Sequence, residues 1–227
     1  MSWKTVRRAL KKLGASFRRA RRIPAKTPDL RREASFRKAL EKARLLVEQG
    51  AIDIVHSDES GFCLVPVVPY LWQLKEQTLG LPSRSHNQRL NVVGFWREPG
   101  VQAAQLTHRL VLGRLKSRHF VQAVEEQLLP FLMRPTVLLV DNATLHRCAR
   151  VKQKLKDWKA AGLHLWFLPP YCPHLNRIEG LWKQCKYHWL QPADYADFPA
   201  LCRAVDNALN NVNNLNRKIP HYLCPTT

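Results

Sequence analysis

At 227 residues with 45% hydrophobic content, the chain is long enough for one α/β domain and a short appendage, which excludes a disordered tail. Its formal net charge of +20, from 37 Lys and Arg against 17 acids, points to a polyanionic partner and above all to nucleic acid. There is no apolar run of membrane-spanning length, no apolar stretch of the kind that marks an export signal, and no Cys-x-x-Cys spacing among the six cysteines. We expect a cytoplasmic protein with reduced thiols, no membrane partner and no zinc site.

The charge is concentrated at the start: residues 1–45 hold 16 Lys and Arg against three acids, a net of +13, leaving +7 for the other 182 residues. There, Ser2 is placed to cap a helix with Trp3, Val6, Leu10 and Leu13 on one face, Arg7, Arg8, Lys11 and Lys12 on the other, and Gly14 at its end. Ser16–Pro28 combines Arg18, Arg19, Arg21 and Arg22 with two prolines and no apolar period, so it reads as an extended basic linker. Asp29–Gln49 has the pattern of an amphipathic helix, with Phe36, Leu40, Leu45 and Leu46 assigned to its buried stripe.

After Gly50 the texture becomes β. Short strands are expected at Ile52–Asp58, Phe62–Val68 and Asn91–Trp96, with an edge strand at Leu110–Leu112. The pattern then alternates: a helix at Ser117–Leu129, a strand at Thr136–Val140, a helix at Arg147–Ala161, a strand at Leu163–Leu168, a helix from Ile178 and a last helix over Ala200–Val212. Alternation of this kind implies βαβ units and a partly parallel sheet, and the element order is that of a ribonuclease-H-like α/β fold with helices flanking a mixed sheet.

Three acids stand at the junctions. Asp141 follows the apolar run TVLLV, as expected of a strand buried on both faces whose carboxylate emerges at the ligand-binding end of the sheet. Asp58 ends the strand DIVHSD, and because side chains alternate, only one of Asp58 and Glu59 can face a shared site. Glu179 falls on the first turn of the helix that follows the rigid segment PPYCPHLN, which Asn176 can cap. Taken singly, Asn176 and Glu179 also fit a capping box, and Asp141 with Asn142 an Asx turn. Together, three carboxylates on one rim repel each other unless a cation lies between them. Mg²⁺ or Mn²⁺ suits an all-oxygen set, and two such ions ~3.5–4 Å apart would clamp an in-line displacement at phosphorus.

The blocks HSDESGF at 56–62, VLLVDNATLH at 137–146 and LPPYCPHLNRIEGLWKQCK at 168–186 resemble the three signature blocks of mariner-like bacterial insertion-sequence transposases. The resemblance implies a ribonuclease-H-like domain that cleaves DNA at element ends and joins it to target DNA, with Asp58, Asp141 and Glu179 as the metal-binding catalytic triad. It further implies supporting roles for Asn142, His146 and Asn176. Cys172, His174 and Arg177 depart from the family's usual serine, acid and proline.

The N-terminal helix resembles only the last, recognition helix of that family's DNA-binding region. The expected division is therefore a helix-turn-helix remnant with a basic linker at 1–28 and a catalytic domain at 29–227. Double-stranded DNA is the expected partner, contacted by the basic residues of the first helix and linker, and pairing two element ends calls for a homodimer. Trp72, beside Tyr70 and Gln73, is a DNA-contact candidate, whereas Trp96, Trp166 and Trp182 belong to apolar elements. Arg147, Arg177, Lys183 and Lys186 are the basic residues nearest the acids in sequence. The alternatives are a ribonuclease-H-like nuclease that cleaves without joining, and an inactive DNA-binding remnant.

Overall fold

A computed structural model describes residues 2–15, 27–67 and 88–215. Arg18, Arg19, Arg21, Arg22 and Trp72 therefore lie outside the described residues. Helix α1 (Trp3–Lys12) starts at Ser2, whose hydroxyl accepts from the Lys4 N–H, and ends where Gly14 takes a positive φ of 76°. None of its residues is buried, so Arg7, Arg8, Lys11 and Lys12 are all open to solvent.

Helix α2 (Leu30–Glu48) is capped by Asp29, whose carboxylate accepts from the N–H groups of Arg31 and Arg32. Its buried stripe is Leu40, Ala43 and Val47, with Phe36 partly buried. This corrects the expectation for Leu45 and Leu46, which are exposed: the three-and-four spacing from Phe36 runs through Leu40, Ala43 and Val47, with Leu45 on the opposite side of the helix and Leu46 at the edge of the stripe.

The core is a five-stranded sheet in the order β3-β2-β1-β4-β5, with β1 (Asp53–Phe62), β2 (Leu90–Arg97), β3 (Gln105–Leu112), β4 (Thr136–Val140) and β5 (Leu163–Phe167). The first three strands pair antiparallel, and β4 and β5 add in parallel on the other side of β1. The mixed sheet is as expected, with boundaries redrawn: the edge strand starts at Gln105 and not at Leu110. β1 continues through Phe62 instead of ending at Asp58, and residues 63–67 form no strand, because the polar stretch SDESG still pairs residue for residue with β2.

Two layers of helix cover the sheet. On one face, α3 (Ser117–Gln127) and α5 (Ala149–Ala160) enclose Val55, Phe95, Phe120, Leu138, Val140 and Trp158. On the other face lie α2, over Ile54 and Leu139, and α6 (Ile178–Gln184) with α7 (Phe198–Leu215), over Val92, Trp96 and Leu106. A one-turn helix, α4 (Thr144–Arg147), joins β4 to α5, and α6 runs on into a π turn at Cys185–Trp189. Trp96 and Trp182 are core residues and Trp166 packs edge-on against Phe36, in keeping with their apolar elements.

Candidate active site

The parallel register of β1 and β4 runs from Asp53 opposite Thr136 to His56 opposite Leu139. Carried two residues further, the same register sets Asp58 beside Asp141. Alternation along β1 gives Ile54, His56 and Asp58 to the face covered by α2 and α6, and Val55 and Glu59 to the face covered by α3. Asp58 pairs across the antiparallel ladder with Gly94. A methyl group at Gly94 would lie 2.7 Å from the Trp182 ring and 3.0 Å from Ile178 Cδ1. The missing side chain therefore lets α6 settle directly on the sheet beside Asp58, and Glu179 stands on that helix's first turn.

Electrostatics register this convergence. Asp58 is pushed up to about 7, first by burial, then by the charge of Glu59, with Glu179 and Asp141 adding to it against a single backbone hydrogen bond from Glu59. Glu179 is raised as well, by burial and then by Asp141. Asp141 is lowered, chiefly by its hydrogen bond from His146, with the Ala143 N–H helping against partial burial. Asp141 and Glu179 open into one cleft of about 360 Å³, walled by Asn142, Tyr171, Cys172 and Asn176. Tyr171 adopts a positive φ of 61°, which bends the proline-rich loop around this cleft.

His146 is buried, packed on Phe120, and bridges two acids: Nδ1 lies 2.8 Å from Asp141 Oδ1 and Nε2 2.9 Å from Glu59 Oε1. Burial opposes charging of the ring, but the hydrogen bonds to Asp141 and Glu59 and the charges of both acids outweigh it and lift the imidazole to about 9. With a carboxylate oxygen facing each nitrogen, the site favours the imidazolium form, which donates from both. The Asx turn also forms, with Ala143 N–H donating to Asp141 Oδ1 at 2.8 Å. Oδ1 is thus occupied twice, and the second carboxylate oxygen remains for a ligand. Glu59 belongs to this assembly through His146, although alternation puts it on the face opposite Asp58.

Asn142 donates to the Leu168 carbonyl and accepts from Arg147, which ties the end of β4 to the start of the proline-rich loop. Asn176 does not cap α6. The N-cap residue is Arg177, and the Asn176 side chain turns inward, donating to the Ser57 carbonyl at 3.0 Å with its Oδ1 3.2 Å from His56 Nδ1. Its role is to fasten the loop before Glu179 to β1, one residue from Asp58.

Beneath that fastening lies a network that sequence reasoning missed. Arg177 N–H donates to His56 Nδ1, so the proton of the neutral ring sits on Nε2 and is donated to Glu98 Oε1 at 2.7 Å. Arg44 grips both oxygens of Glu98 at 2.8 and 3.0 Å, and Arg177 approaches at 3.5 Å. Burial alone would raise Glu98; the hydrogen bonds from His56 and Arg44 bring it down to about 2 instead. Full burial keeps His56 below its ordinary value. One signal was available: His56 lies two residues before Asp58 on the same strand face.

Of the basic residues near the acids, Arg147 is exposed and stacks over Phe167, 4.9 Å from the ring centroid. Arg177 is committed to Glu98, Lys186 sits over the Phe62 ring, and Lys183 is exposed. A second cleft of about 700 Å³ adjoins that of the acids and shares Asn142, Leu168, Pro169 and Pro170 with it. Arg31, Arg32 and Arg147 line it over Phe36 and Phe167.

Residues 53–202 match the sequence profile of the DDE superfamily endonucleases. The chain belongs to that family. No curated protein matches it. Its fold is similar to the Mos1 strand transfer complex, at 13% identity over 95% of this chain and 67% of that one, with a TM-score of 0.56. It is equally similar to the Mos1 mariner paired end complex with Mn, at 13% identity over 96% of this chain and 68% of that one, TM-score 0.56. The catalytic domain of Mos1 mariner transposase matches at 11% identity over 86% of this chain and 93% of that one, TM-score 0.50. The domain is therefore an endonuclease of ribonuclease-H-like fold. Among the described residues, no helix is long and apolar enough to cross a membrane.

Proposed function

We propose that the domain is the catalytic part of a mariner-like transposase, with Asp58, Asp141 and Glu179 as the acids that hold divalent cations at the scissile phosphate. One observation carries the reading. Two adjacent strands in parallel register and a helix seated on Gly94 set Asp141 and Glu179 within electrostatic reach of Asp58, which is pushed up to about 7 by burial and by Glu59 first and by those two acids in addition. Such mutual repulsion, with no Lys or Arg hydrogen-bonded to Asp58 or Glu179 among the described residues, fits a dication centre. The three carboxylates do not gather within 4.8 Å of one another, and Asp141 and Glu179 line the cleft through which a cation would reach them. When bound, Mg²⁺ or Mn²⁺ supplies activation of a water or 3′-hydroxyl and charge neutralisation at the leaving oxygen.

The chain's own residues do the rest. His146 holds one oxygen of Asp141 and aims the other into the cleft. Asn176 and Asn142 fix the two ends of the proline-rich loop ahead of Glu179. The groove with Arg31, Arg32 and Arg147 offers phosphate partners on an aromatic floor and leads into the acid cleft, which suits a DNA strand entering the site. Arg7, Arg8, Lys11 and Lys12 are exposed along α1 and add positive charge for phosphates, and the sequence supplies Arg18, Arg19, Arg21 and Arg22 besides. Joining two element ends calls for a homodimer, and DNA is where the protein would reside.

The test is Mg²⁺- or Mn²⁺-dependent nicking of DNA and strand transfer of a terminal-repeat oligonucleotide. Asp141→Asn should reduce cleavage to background while DNA affinity stays equal or rises, since the change removes a metal ligand and a negative charge. Cleavage that persists in this variant overturns the assignment, and nicking without strand transfer favours a nuclease.

A further inference from the structure

We propose that Glu33, Cys172 and His174 form a second metal site, separate from the three acids, that takes Zn²⁺ and ties helix α2 to the loop ahead of Glu179. Spacing along the chain gives no hint of it, because Glu33 is 139 residues from Cys172. The fold closes that gap: Glu33 is on the first turn of α2, and Cys172 and His174 flank Pro173 where a 3-10 turn begins. Glu33 Oε1 lies 2.9 Å from His174 Nε2, and Glu33 Oε2 lies 3.7 Å from Cys172 Sγ. One ligand atom from each residue falls within 4.8 Å of the others.

The donor set chooses the metal. A thiolate, an imidazole and a carboxylate match Zn²⁺, whereas Mg²⁺ demands oxygen ligands. Bonds of ~2.0–2.3 Å in a tetrahedron put neighbouring ligands ~3.3–3.7 Å apart. The separation of Cys172 Sγ from Glu33 Oε2 is already at that value, and His174 Nε2, now beside Oε1 of the same carboxylate, needs only to turn from Oε1 toward an ion held at Oε2. Two anionic ligands neutralise the dication, and a water completes the fourth position.

Arg37 does not bar the ion. Its guanidinium takes Oε1 of Glu33 at 2.8 and 3.0 Å, leaving Oε2, the oxygen toward Cys172, and a hydrogen-bonded carboxylate is a better oriented ligand. Cys172 is buried against Leu168, Leu175 and Phe36, which gives the site a dry wall, while His174 is exposed and leaves a way in. Cys172 also lines the acid cleft, so an ion here would stiffen the loop that carries Glu179 toward β1.

The proposal does not depend on the reading of the acids, and Co²⁺ titration of the chelator-stripped full chain tests it. We expect one tightly held equivalent with a thiolate-to-cobalt charge-transfer band that Zn²⁺ abolishes and millimolar Mg²⁺ leaves in place. Cys172→Ser should remove the band. His174→Gln, at an exposed position that does not threaten folding, should weaken binding by at least about tenfold. Asp141→Asn should leave band and affinity unchanged. Absence of the band in the unmodified chain overturns the site, as does a band that survives Cys172→Ser or an affinity unmoved by His174→Gln.

Discussion

His56 and His146 are both buried rings that bridge the sheet to its surroundings, and they do opposite things. His56 is neutral and donates to a Glu98 already gripped by Arg44 and approached by Arg177, so each charge in that cluster finds a partner inside the protein. His146 is an imidazolium between Asp141 and Glu59, and among the described residues no Lys or Arg joins it. Asp141, moreover, keeps half its side chain open to the cleft. A buried cluster whose one acid already has two arginines beside it has no place for a further cation and is a fastening. One that leaves an acid facing an opening, next to two further acids, has capacity for a cation from outside. The first cluster holds the loop before Glu179 against β1, and the second aims Asp141.

Glu98→Ala breaks the first cluster and should have the largest effect. It removes the acceptor that Arg44, Arg177 and His56 share, and loss of one partner from a buried ion pair costs about 3–5 kcal/mol. Denaturant unfolding measures it, and any loss of cleavage should follow the loss of fold. His146→Gln breaks the second cluster differently. It keeps one hydrogen bond at most, so stability should fall by about 1–3 kcal/mol. Metal affinity, read from the Mn²⁺ dependence of nicking, should weaken by about 10–100-fold, because an oriented carboxylate loses its anchor. Excess Mn²⁺ should recover part of the activity in His146→Gln and none in Glu98→Ala at temperatures where the latter is unfolded. Equal recovery in both would erase the distinction.

How much of this was legible in the chain depended on where the information lay. TVLLV reads unambiguously as a buried strand, and Asp141 at its end follows from local pattern alone. The stretch SDESG does not look like a strand, since it owes its extended form to pairing with Leu90–Phe95, and so Asp58 seemed to end an element that in fact continues. Leu45 and Leu46 are adjacent, and an apolar pair on a helix fits more than one stripe until a partner surface selects Ala43 and Val47. Asn176 had two readings of equal local merit, and the choice went to a carbonyl on Ser57 that is 119 residues away. Glu98, in the turn-like WREPG, gave no sign that His56 and Arg44 would meet it from 42 and 54 residues upstream. Local periodicity reveals the frame and the rim, whereas polar fastenings across the fold depend on tertiary geometry.

The two clusters should also fail at opposite ends of the pH scale. Glu98 is depressed from 4.5 to about 2, so the stability it confers is complete above pH 4.5 and is lost as the pH falls through about 2. His146 is raised from 6.5 to about 9, so its contribution is complete below pH 6.5 and is lost as the pH rises through about 9. Thermal melts of the metal-free protein should therefore show an acid limb that Glu98→Gln flattens and an alkaline limb that His146→Gln flattens, each variant leaving the other limb in place. Divalent cation at the Asp141 oxygen that His146 leaves open should shift the alkaline limb while sparing the acid one. If His146→Gln leaves the alkaline limb as it was, the imidazolium bridge is not what holds Asp141, and the difference drawn between the two histidines fails at that point.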